Sequence, residues 1–159
     1  MPNDAPRHAS PPEHAASRQR LMRCCAIATD AELADAVASL GPLPRITDVR
    51  RPETGLVMLR GRIGGDGAPF NVGEATVTRA VVKLETGEIG HAYLLGRSGE
   101  RARLAATIDA LGQTGANRER IDEAFIKPVT ARLAAERQTR KAETAATRVN
   151  FFTLARGED

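Results

Sequence analysis

The sequence predicts an α+β protein with a mainly antiparallel sheet, flanking helices, and a long C-terminal helix followed by an extended segment. Three observations favour this fold class. Apolar residues recur at helical spacing over residues 13–40, short β-like segments separated by turn residues occupy 45–95, and helical patterns return from Ser98 to about residue 146. Consecutive strands joined by short turns imply an antiparallel meander, which needs one covered face.

The chain length predicts one domain. A chain of 159 residues is long enough to bury a core without disulfides or a metal. Residues 1–15 hold four of the nine prolines, together with Ala, Ser, Asn and His. That composition cannot bury enough apolar surface to offset the entropy of ordering. We therefore expect a disordered tail over residues 1–15 and a single domain over 16–159.

The first ordered elements are predicted to be two helices. Leu21 and Cys25 belong to a helical repeat of apolar residues that starts near Glu13. The segment Thr29-Asp-Ala-Glu32 fits a capping box, in which the Thr hydroxyl and the Glu carboxylate satisfy each other's free backbone N–H groups. A second helix should therefore begin there and end before Gly41-Pro42.

A β region follows the two helices. Residues 45–50 form a short candidate strand, and Glu53-Thr54-Gly55 is predicted to turn the chain into a second strand at 56–63. Alternation then predicts strands at 76–84 and 89–95, which Thr86-Gly87 would connect. The expected sheet therefore has short strands and tight connections.

Three further helices are predicted toward the C-terminus. Ser98 should cap a helix that ends at Gly112, and a weaker helical pattern covers about 117–126. Pro128 suits the first turn of a long polar helix that reaches about residue 146. The apolar stripe of that last helix is mostly alanine, which is typical of a solvated face or of an arm that contacts a partner.

Composition argues against several classes of function. Aromatic residues are 3% of the chain, so a stacking platform for single-stranded nucleic acid is poorly supported. The net charge is only +3, so the basic isoelectric point alone says little about partners. Cys24 and Cys25 are adjacent, which gives neither an ordinary disulfide nor metal-ligand spacing. We expect a reduced, cytoplasmic protein with no metal site and no membrane contact, since no run approaches the ~18–20 apolar residues of a span.

Residues 61–80 form the most informative stretch of the sequence. They contain five glycines and one proline between two β-like segments. Glycine tolerates positive φ and lets a ligand or another backbone come close, so the loop is predicted to have a specific shape. It matches neither the Walker pattern nor a dinucleotide fingerprint, because a strand follows it rather than a helix. Both a phosphate cradle and a hairpin connection that contacts a partner remain open.

A basic face beside this loop is a second candidate site. If strands 56–63 and 76–84 pair, alternation places Val57, Leu59 and Ile63 toward the core. The cations on the opposite face would be Arg60, Arg62, Arg79 and Lys83. Arginine forks match phosphate oxygens, and glycine amides can bind anions. The candidates for phosphate or substrate contact are therefore Arg60, Arg62, Gly64, Gly65, Gly67 and Arg79; a solvated or protein-contacting face is the alternative.

No complete catalytic set is visible in the sequence. His91 and Tyr93 share a strand face and could transfer protons, but a lone strand histidine is more often structural. Glu53 and Glu74 lie near the turns without an evident base partner, which favours turn or interface roles. The chain alone therefore does not read as a complete enzyme, and its catalytic residues stay unknown.

The C-terminal segment holds two of the four phenylalanines. Phe151 and Phe152 are adjacent, so in an extended chain they point to opposite sides and both need cover. Buried aromatic anchors contribute much of the energy of interfaces. The interface candidates are Glu53, Phe70, Glu74, His91, Tyr93, Arg148, Phe151 and Phe152; folding back on the chain's own core is the alternative for the two phenylalanines.

Taken together, the motifs resemble one family, PhnG, a subunit of the bacterial carbon–phosphorus lyase system. The resemblance covers about residue 15 to the C-terminus, and the region 112–146 matches only in general character. The segments that carry it are Glu53–Met58, Gly61–Gly67, Phe70, Gly73–Ala80, Gly90–Arg97, Asp109–Leu111 and Arg148–Thr153.

The resemblance implies a subunit of the enzyme that makes α-D-ribose 1-methylphosphonate 5-triphosphate. That complex replaces the adenine of ATP with a phosphonate at the ribose C1 position. Partners of the PhnI, PhnH, PhnJ and PhnL types are implied, with two copies of each chain in a core of PhnG, PhnH, PhnI and PhnJ types. Nucleosidase chemistry is associated mainly with the PhnI type, so the resemblance implies no catalytic residue and no cofactor here, with ATP as the substrate of the complex.

Two other functions are compatible with the residues. A stand-alone phosphate-ester enzyme would use Arg60, Arg62 and Arg79 with His91 or Glu74 as proton carrier. A small basic nucleic-acid module would rest on the isoelectric point and the arginine-rich C-terminal half, and would bind with a strong salt dependence. Copurification with partner chains separates the subunit hypothesis from both.

Overall fold

The computed structural model describes residues 13–64 and 67–147. Helix α1 spans Glu13–Ile27 and α2 spans Asp30–Ser39; the strands are β1 (Ile46–Gly61), β2 (Phe70–Leu84) and β3 (Ile89–Leu95). Helix α3 (Gly99–Leu111) is followed by α4 (Gly115–Ile121), a π-helical turn (Asp122–Ile126) and α5 (Lys127–Ala146). The predicted α+β class is confirmed. Residues 13–15 of the predicted tail are helical, and residues 1–12 lie outside the described residues.

Local capping signals place two helix starts where the sequence predicts them. The Thr29 hydroxyl accepts from the Glu32 backbone N–H, and the Glu32 carboxylate accepts from the Thr29 backbone N–H, so the capping box is complete. Ser98 accepts from the Arg101 backbone N–H at the start of α3. These hydrogen bonds satisfy N–H groups that the first helical turn leaves free. Each bond joins residues only three positions apart, so the sequence alone is enough to locate the two helix starts.

The sheet has three strands in the order β1-β2-β3, and both pairings are antiparallel. The predicted turn at Glu53-Thr54-Gly55 is wrong, because β1 runs without a break from Ile46 to Gly61. The register shifts between Asp48 and Arg50 and again between Arg50 and Glu53, and Pro52 lies in the second irregularity. Proline has no N–H to give to a ladder, and a bulge in an edge strand accommodates it.

One face of the sheet is covered by helices. Alternate residues of β2 and β3, among them Val82, Leu84, Ala92 and Leu94, are buried against the helical layer. Helix α3 contacts both of these strands and also α1 and α2, so it is buried on most sides. Its small residues permit a close approach: a Cβ placed on Gly90 would lie 1.9 Å from the Ala106 carbonyl oxygen. The core is therefore mostly aliphatic and alanine-rich, with Phe125 as its one buried aromatic side chain among the described residues.

Helices α4 and α5 form one continuous helical run with a π turn between them. The Lys127 N–H donates to the Asp122 carbonyl, five residues earlier. Pro128 has no N–H, and its ring would crowd the carbonyl of Ala124 in a regular α-helix, so the wider turn relieves that conflict. The predicted start of a long helix at Pro128 agrees with the first turn of α5, and the π turn joins this helix to α4 without a break.

Candidate functional site: a projecting β-arm and an open sheet face

Strands β1 and β2 extend past the rest of the sheet. The last pair between β2 and β3 is Val77 with Leu95, after which the Gly96 N–H donates to the Thr76 carbonyl. Pairing of β1 with β2 nevertheless continues to Gly61 and Phe70. We call residues 55–61 and 70–76 the β-arm. It is a two-stranded ribbon about 20 Å long, at about 3.3 Å per residue.

Large apolar side chains on the β-arm are exposed. The relative exposures are Leu56 63%, Met58 54%, Leu59 46%, Phe70 42% and Val72 60%. An isolated two-stranded ribbon is at best marginally stable in water, and soluble monomers rarely expose contiguous apolar surface without a function. The expectation that Val57, Leu59 and Ile63 face the core is wrong: Val57 is half-buried, and Ile63 is 78% exposed. The β-arm lies beyond the helices that would cover it.

Two glycines fix the shape of the tip. Gly64 has a φ of +65°, which side-chain-bearing residues rarely adopt. A Cβ on Gly67 would lie 2.3 Å from the Ile63 carbonyl oxygen. The tip therefore needs glycine for its own backbone geometry. Gly65 lies outside the described residues.

The four predicted cations do not form one basic face. Arg79 lies opposite Glu53 in the sheet, whereas Arg60 lies opposite Asn71 near the end of the β-arm. Glu53 and Arg60 are seven positions apart on β1, which corresponds to about 23 Å. Arg60 and Arg62 are thus exposed near the tip, and Arg79 and Lys83 lie on the body. The predicted basic face was wrong because it rested on the wrong strand register. The turn predicted inside β1 left about half of the strand without its pairing to β2.

The open face of the sheet gathers three of the predicted site residues into one row. Glu53 pairs with Arg79, and Arg79 pairs with Tyr93 on β3. The Glu53 carboxylate accepts hydrogen bonds from both Arg79 and Arg50. These bonds, the one from Arg79 foremost, lower the pKa of Glu53 below its ordinary value. Since the one carboxylate offsets the charge of one of the two guanidinium groups and holds both in hydrogen bonds, this face offers a ligand less positive charge than its arginines suggest.

His91 lies on the same open face as Tyr93. Its backbone N–H donates to Asp109 at 2.9 Å, and its side chain is exposed. The two residues border a pocket of only about 80 Å³, far below the ~300–1,000 Å³ of typical small-molecule sites. Glu53 and Arg79, the ion pair on this open face, do not line that pocket. The structure therefore brings Glu53, Arg79 and Tyr93 together without forming a catalytic pocket around them.

A larger cleft of about 390 Å³ lies between α1 and α4. Its lining includes Leu21, Ile121 and Ile126, with Arg18 and Arg118 as its cations. Arg18 is already paired with Asp109. None of the residues predicted from the sequence to contact substrate lines this cleft.

The sequence reasoning missed Asp109, which is 1% exposed. Its carboxylate accepts two hydrogen bonds from Arg18, on α1, and one from the His91 backbone on β3. The hydrogen bonds that Arg18 donates to Asp109 raise the pKa of Arg18. An acidic residue between Ile108 and Leu111 on a buried helix was the available signal. Asp109 joins three elements of the core, so its role in the described structure is architectural.

Within residues 13–64 and 67–147, no group of three or more His, Cys, Asp or Glu side chains is arranged to hold a metal ion. Over the same residues, none of the helices is both long and apolar enough to cross a membrane. Arg148, Phe151 and Phe152 lie outside these ranges.

Comparison with known proteins identifies the family. Residues 16–157 match the family described as "Phosphonate metabolism protein PhnG". The chain is also 56% identical over 144 residues to the α-D-ribose 1-methylphosphonate 5-triphosphate synthase subunit PhnG of Rhizobium meliloti (strain 1021), an alignment that covers 91% of this chain and 92% of the relative. A match across nearly the whole chain, including the β-arm and the open face, shows that the chain belongs to the PhnG family.

Proposed function

We propose that this chain is the PhnG-type subunit of an α-D-ribose 1-methylphosphonate 5-triphosphate synthase in the cytoplasm. With partners of the PhnI, PhnH, PhnJ and PhnL types, it takes part in replacing the adenine of ATP by methylphosphonate at the ribose C1 position, which releases adenine. The name of the 56% identical relative supports this assignment. ATP is then the substrate of the complex, and the enzymatic activity belongs to the assembly.

The observation that favours a subunit role is the apolar surface of the β-arm. Leu56 and Met58 are more than half exposed on a ribbon that no described helix covers. Burial in an interface would remove this surface from water and stabilise the ribbon, since each Å² of apolar area contributes about 25 cal/mol. Obligate interfaces are more apolar than ordinary protein surface. The β-arm therefore docks on a partner chain of the complex, whose core holds two copies each of the PhnG, PhnH, PhnI and PhnJ types.

The candidate residues divide between two roles in this proposal. Arg60 and Arg62, with the glycine tip, reach a phosphate-bearing pocket that partner chains complete, while Arg79 stays paired with Glu53 on the body. The residues proposed to contact partners are Glu53, Phe70, Glu74, His91, Tyr93, Arg148, Phe151 and Phe152. Assigning phosphate contact to the tip alone agrees with the ion pairing of Arg79 on the open face.

Coexpression with the neighbouring phosphonate-operon products tests the docking role. The double variant Leu56→Glu/Leu59→Glu places charges on the β-arm at positions that are already exposed, so the body should stay folded. Burying these charges in an interface is costly, so we expect copurified partner chains to fall to about a tenth or less. Val49→Glu is the matched control, because Val49 is 60% exposed on the same strand but outside the β-arm. It should retain the partners.

A shortened chain separates docking from folding. Replacing residues 58–74 by an Asn-Gly turn removes most of the β-arm and leaves the strand partners Val57 and Ala75 on either side of the turn, as a two-residue hairpin requires. The melting temperature of the body should change little, whereas copurification and synthase activity of the coexpressed set should be lost. A wild-type chain that stays monomeric with all partners present would contradict the subunit role. Turnover of ATP and phosphonate by the isolated chain would support a stand-alone enzyme.

A further inference from the structure

Helix α5 continues well past the body of the protein. It runs alongside α1 in the same direction, as shown by the contact of Arg20 with Asp122 at 3.5 Å and that of Arg132 with the Ile27 carbonyl at 3.3 Å. Helix α1 ends at Ile27, but α5 goes on to Ala146. We call residues 134–146 the helix arm. Every residue in it is exposed, and it is about 20 Å long at about 1.5 Å per residue.

The helix arm and the β-arm leave from the same end of the body. Arg101, in the first turn of α3, donates to the carbonyls of Ala26 and Ala28 at the end of α1, which is where the helix arm departs. Gly96, just before α3, accepts a hydrogen bond from Thr78 at the base of the β-arm. The start of α3 thus lies next to the bases of both arms, and the two projections are of similar length.

The two arms expose different chemistry. Arg137, Arg140 and Lys141 follow helical spacing and form a cationic face on the helix arm. Glu136, which binds Arg132 at 2.7 Å, and Glu143, seven residues later, belong to the neighbouring face. The β-arm instead exposes aliphatic and aromatic side chains, with cations only near its tip. Each arm by itself is less stable than the body. The β-arm is an isolated two-stranded ribbon, and the helix arm is a short helix without tertiary packing, which is marginal in water.

We propose that the β-arm and the helix arm form one bipartite docking end that holds a single protein partner. The partner surface has apolar side chains against the β-arm and carboxylates against the helix arm. Ile27, which is 43% exposed, lies at the base of the helix arm, where its carbonyl accepts from Arg132, and adds apolar area. This inference rests on the subunit role proposed above. It adds a second contact, made by the helix arm, and assigns a negative charge to the partner surface that the helix arm meets.

The chemistry of the arms favours a protein over the other occupants. A nucleic acid offers phosphates to Arg137 and Arg140 but nothing that matches the exposed aliphatic groups of the β-arm. A second copy of this chain would present another cationic helix arm, and like charges placed together are unfavourable. A partner with carboxylates satisfies the helix arm and leaves the β-arm free to bury its apolar groups.

Charge reversal on the helix arm tests the second contact. The variant Arg137→Glu/Arg140→Glu and the control Arg45→Glu/Lys83→Glu make the same change in net charge; the control positions are exposed at the opposite end of the sheet. Each chain is coexpressed with the operon products, and the retained complex is measured as NaCl is raised. Near 150 mM NaCl, we expect the amount of retained complex to be at least about tenfold lower for the helix-arm variant than for the control. Charge pairs within an interface are screened less by salt than exposed pairs and remain strong. Arg137→Ala/Arg140→Ala preserves helix propensity and should give an intermediate loss.

Hydrogen exchange in pairwise complexes tests whether one partner meets both arms. We expect one partner chain alone to slow exchange in residues 55–61, 70–76 and 134–146. Protection of the two arms by two different partners would overturn the inference, as would a helix-arm variant that behaves like its control while the wild-type complex forms. Salt-dependent nucleic-acid binding by the helix arm, or self-association through it, would also overturn it. Failure of the wild-type chain to bind any partner would instead overturn the subunit role.

Discussion

Arg18 binds Asp109 through two hydrogen bonds, from Nε at 2.9 Å and from Nη2 at 2.8 Å. The carboxylate is almost fully buried, whereas the guanidinium side chain is 40% exposed. The same carboxylate accepts from the His91 backbone, so one side chain of α3 connects α1 to β3. This contact fixes the helical layer on the sheet from which both arms project.

Removing the charge of Asp109 should weaken this connection. In Asp109→Asn the amide cannot accept all three hydrogen bonds, and we expect the free energy of unfolding to fall by about 2 kcal/mol. Urea denaturation checks this value. Arg18→Leu/Asp109→Asn should cost less than the sum of the single changes, because each single change leaves a partner unsatisfied. Strict additivity would show that the two side chains do not interact.

Gly90 should not tolerate even a methyl group. A Cβ at this position would lie 1.9 Å from the Ala106 carbonyl oxygen and 2.6 Å from the Ala110 nitrogen, both of which are backbone atoms. Gly90→Ala must therefore separate β3 from α3, at a cost of about 3 kcal/mol. Gly73→Ala is the matched control in the β-arm, since nothing lies within 4 Å of its added Cβ. Thermal denaturation of both variants should show a large loss for the first only.

The adjacent cysteines should be inert in the folded protein. Cys24 is 6% exposed and Cys25 is 3% exposed. Burial raises the pKa of both thiols, so little reactive thiolate forms at pH 8. A thiol reagent should label neither residue in buffer and both in urea. Rapid labelling of the native protein would show that α1 opens from the core.

Glu32 should make stability depend on pH in the acid range. Hydrogen bonds from Arg132, followed by those from Thr29, lower its pKa in the folded state. Because the folded pKa lies below the unfolded value of about 4.3, the stabilisation is complete above that value. It is lost as the pH falls through the folded pKa.

The variant Glu32→Gln isolates this effect. Gln cannot titrate, so the difference in unfolding free energy between wild type and Glu32→Gln should be largest at pH 7 and should shrink below pH 4. Urea denaturation at several pH values provides the measurement. A difference that stays constant with pH would mean that Arg132 does not favour the charged form of Glu32.

Local chemistry accounts for what was predictable in the fold. Thr29 and Ser98 mark helix starts because their side chains bond to backbone groups within three residues. The predicted turn at Glu53-Thr54-Gly55 hid the continuity of β1, and only the pairing with β2 shows the bulge that accommodates Pro52 in this edge strand. The π turn before Pro128 was equally hidden, because whether a proline begins a helix or lies inside one depends on the elements packed around it.

The sequence by itself determined the α+β class, the helix caps, the glycine tip between β1 and β2, and the motifs of the PhnG family. Only the tertiary structure decided that β1 is continuous, and therefore that Arg79 pairs with Glu53 while Arg60 lies about 23 Å away. It also decided that two arms leave one end of the body. The physical reason is that caps and turns depend on neighbours in the chain, whereas strand register and exposure depend on residues that meet only after folding.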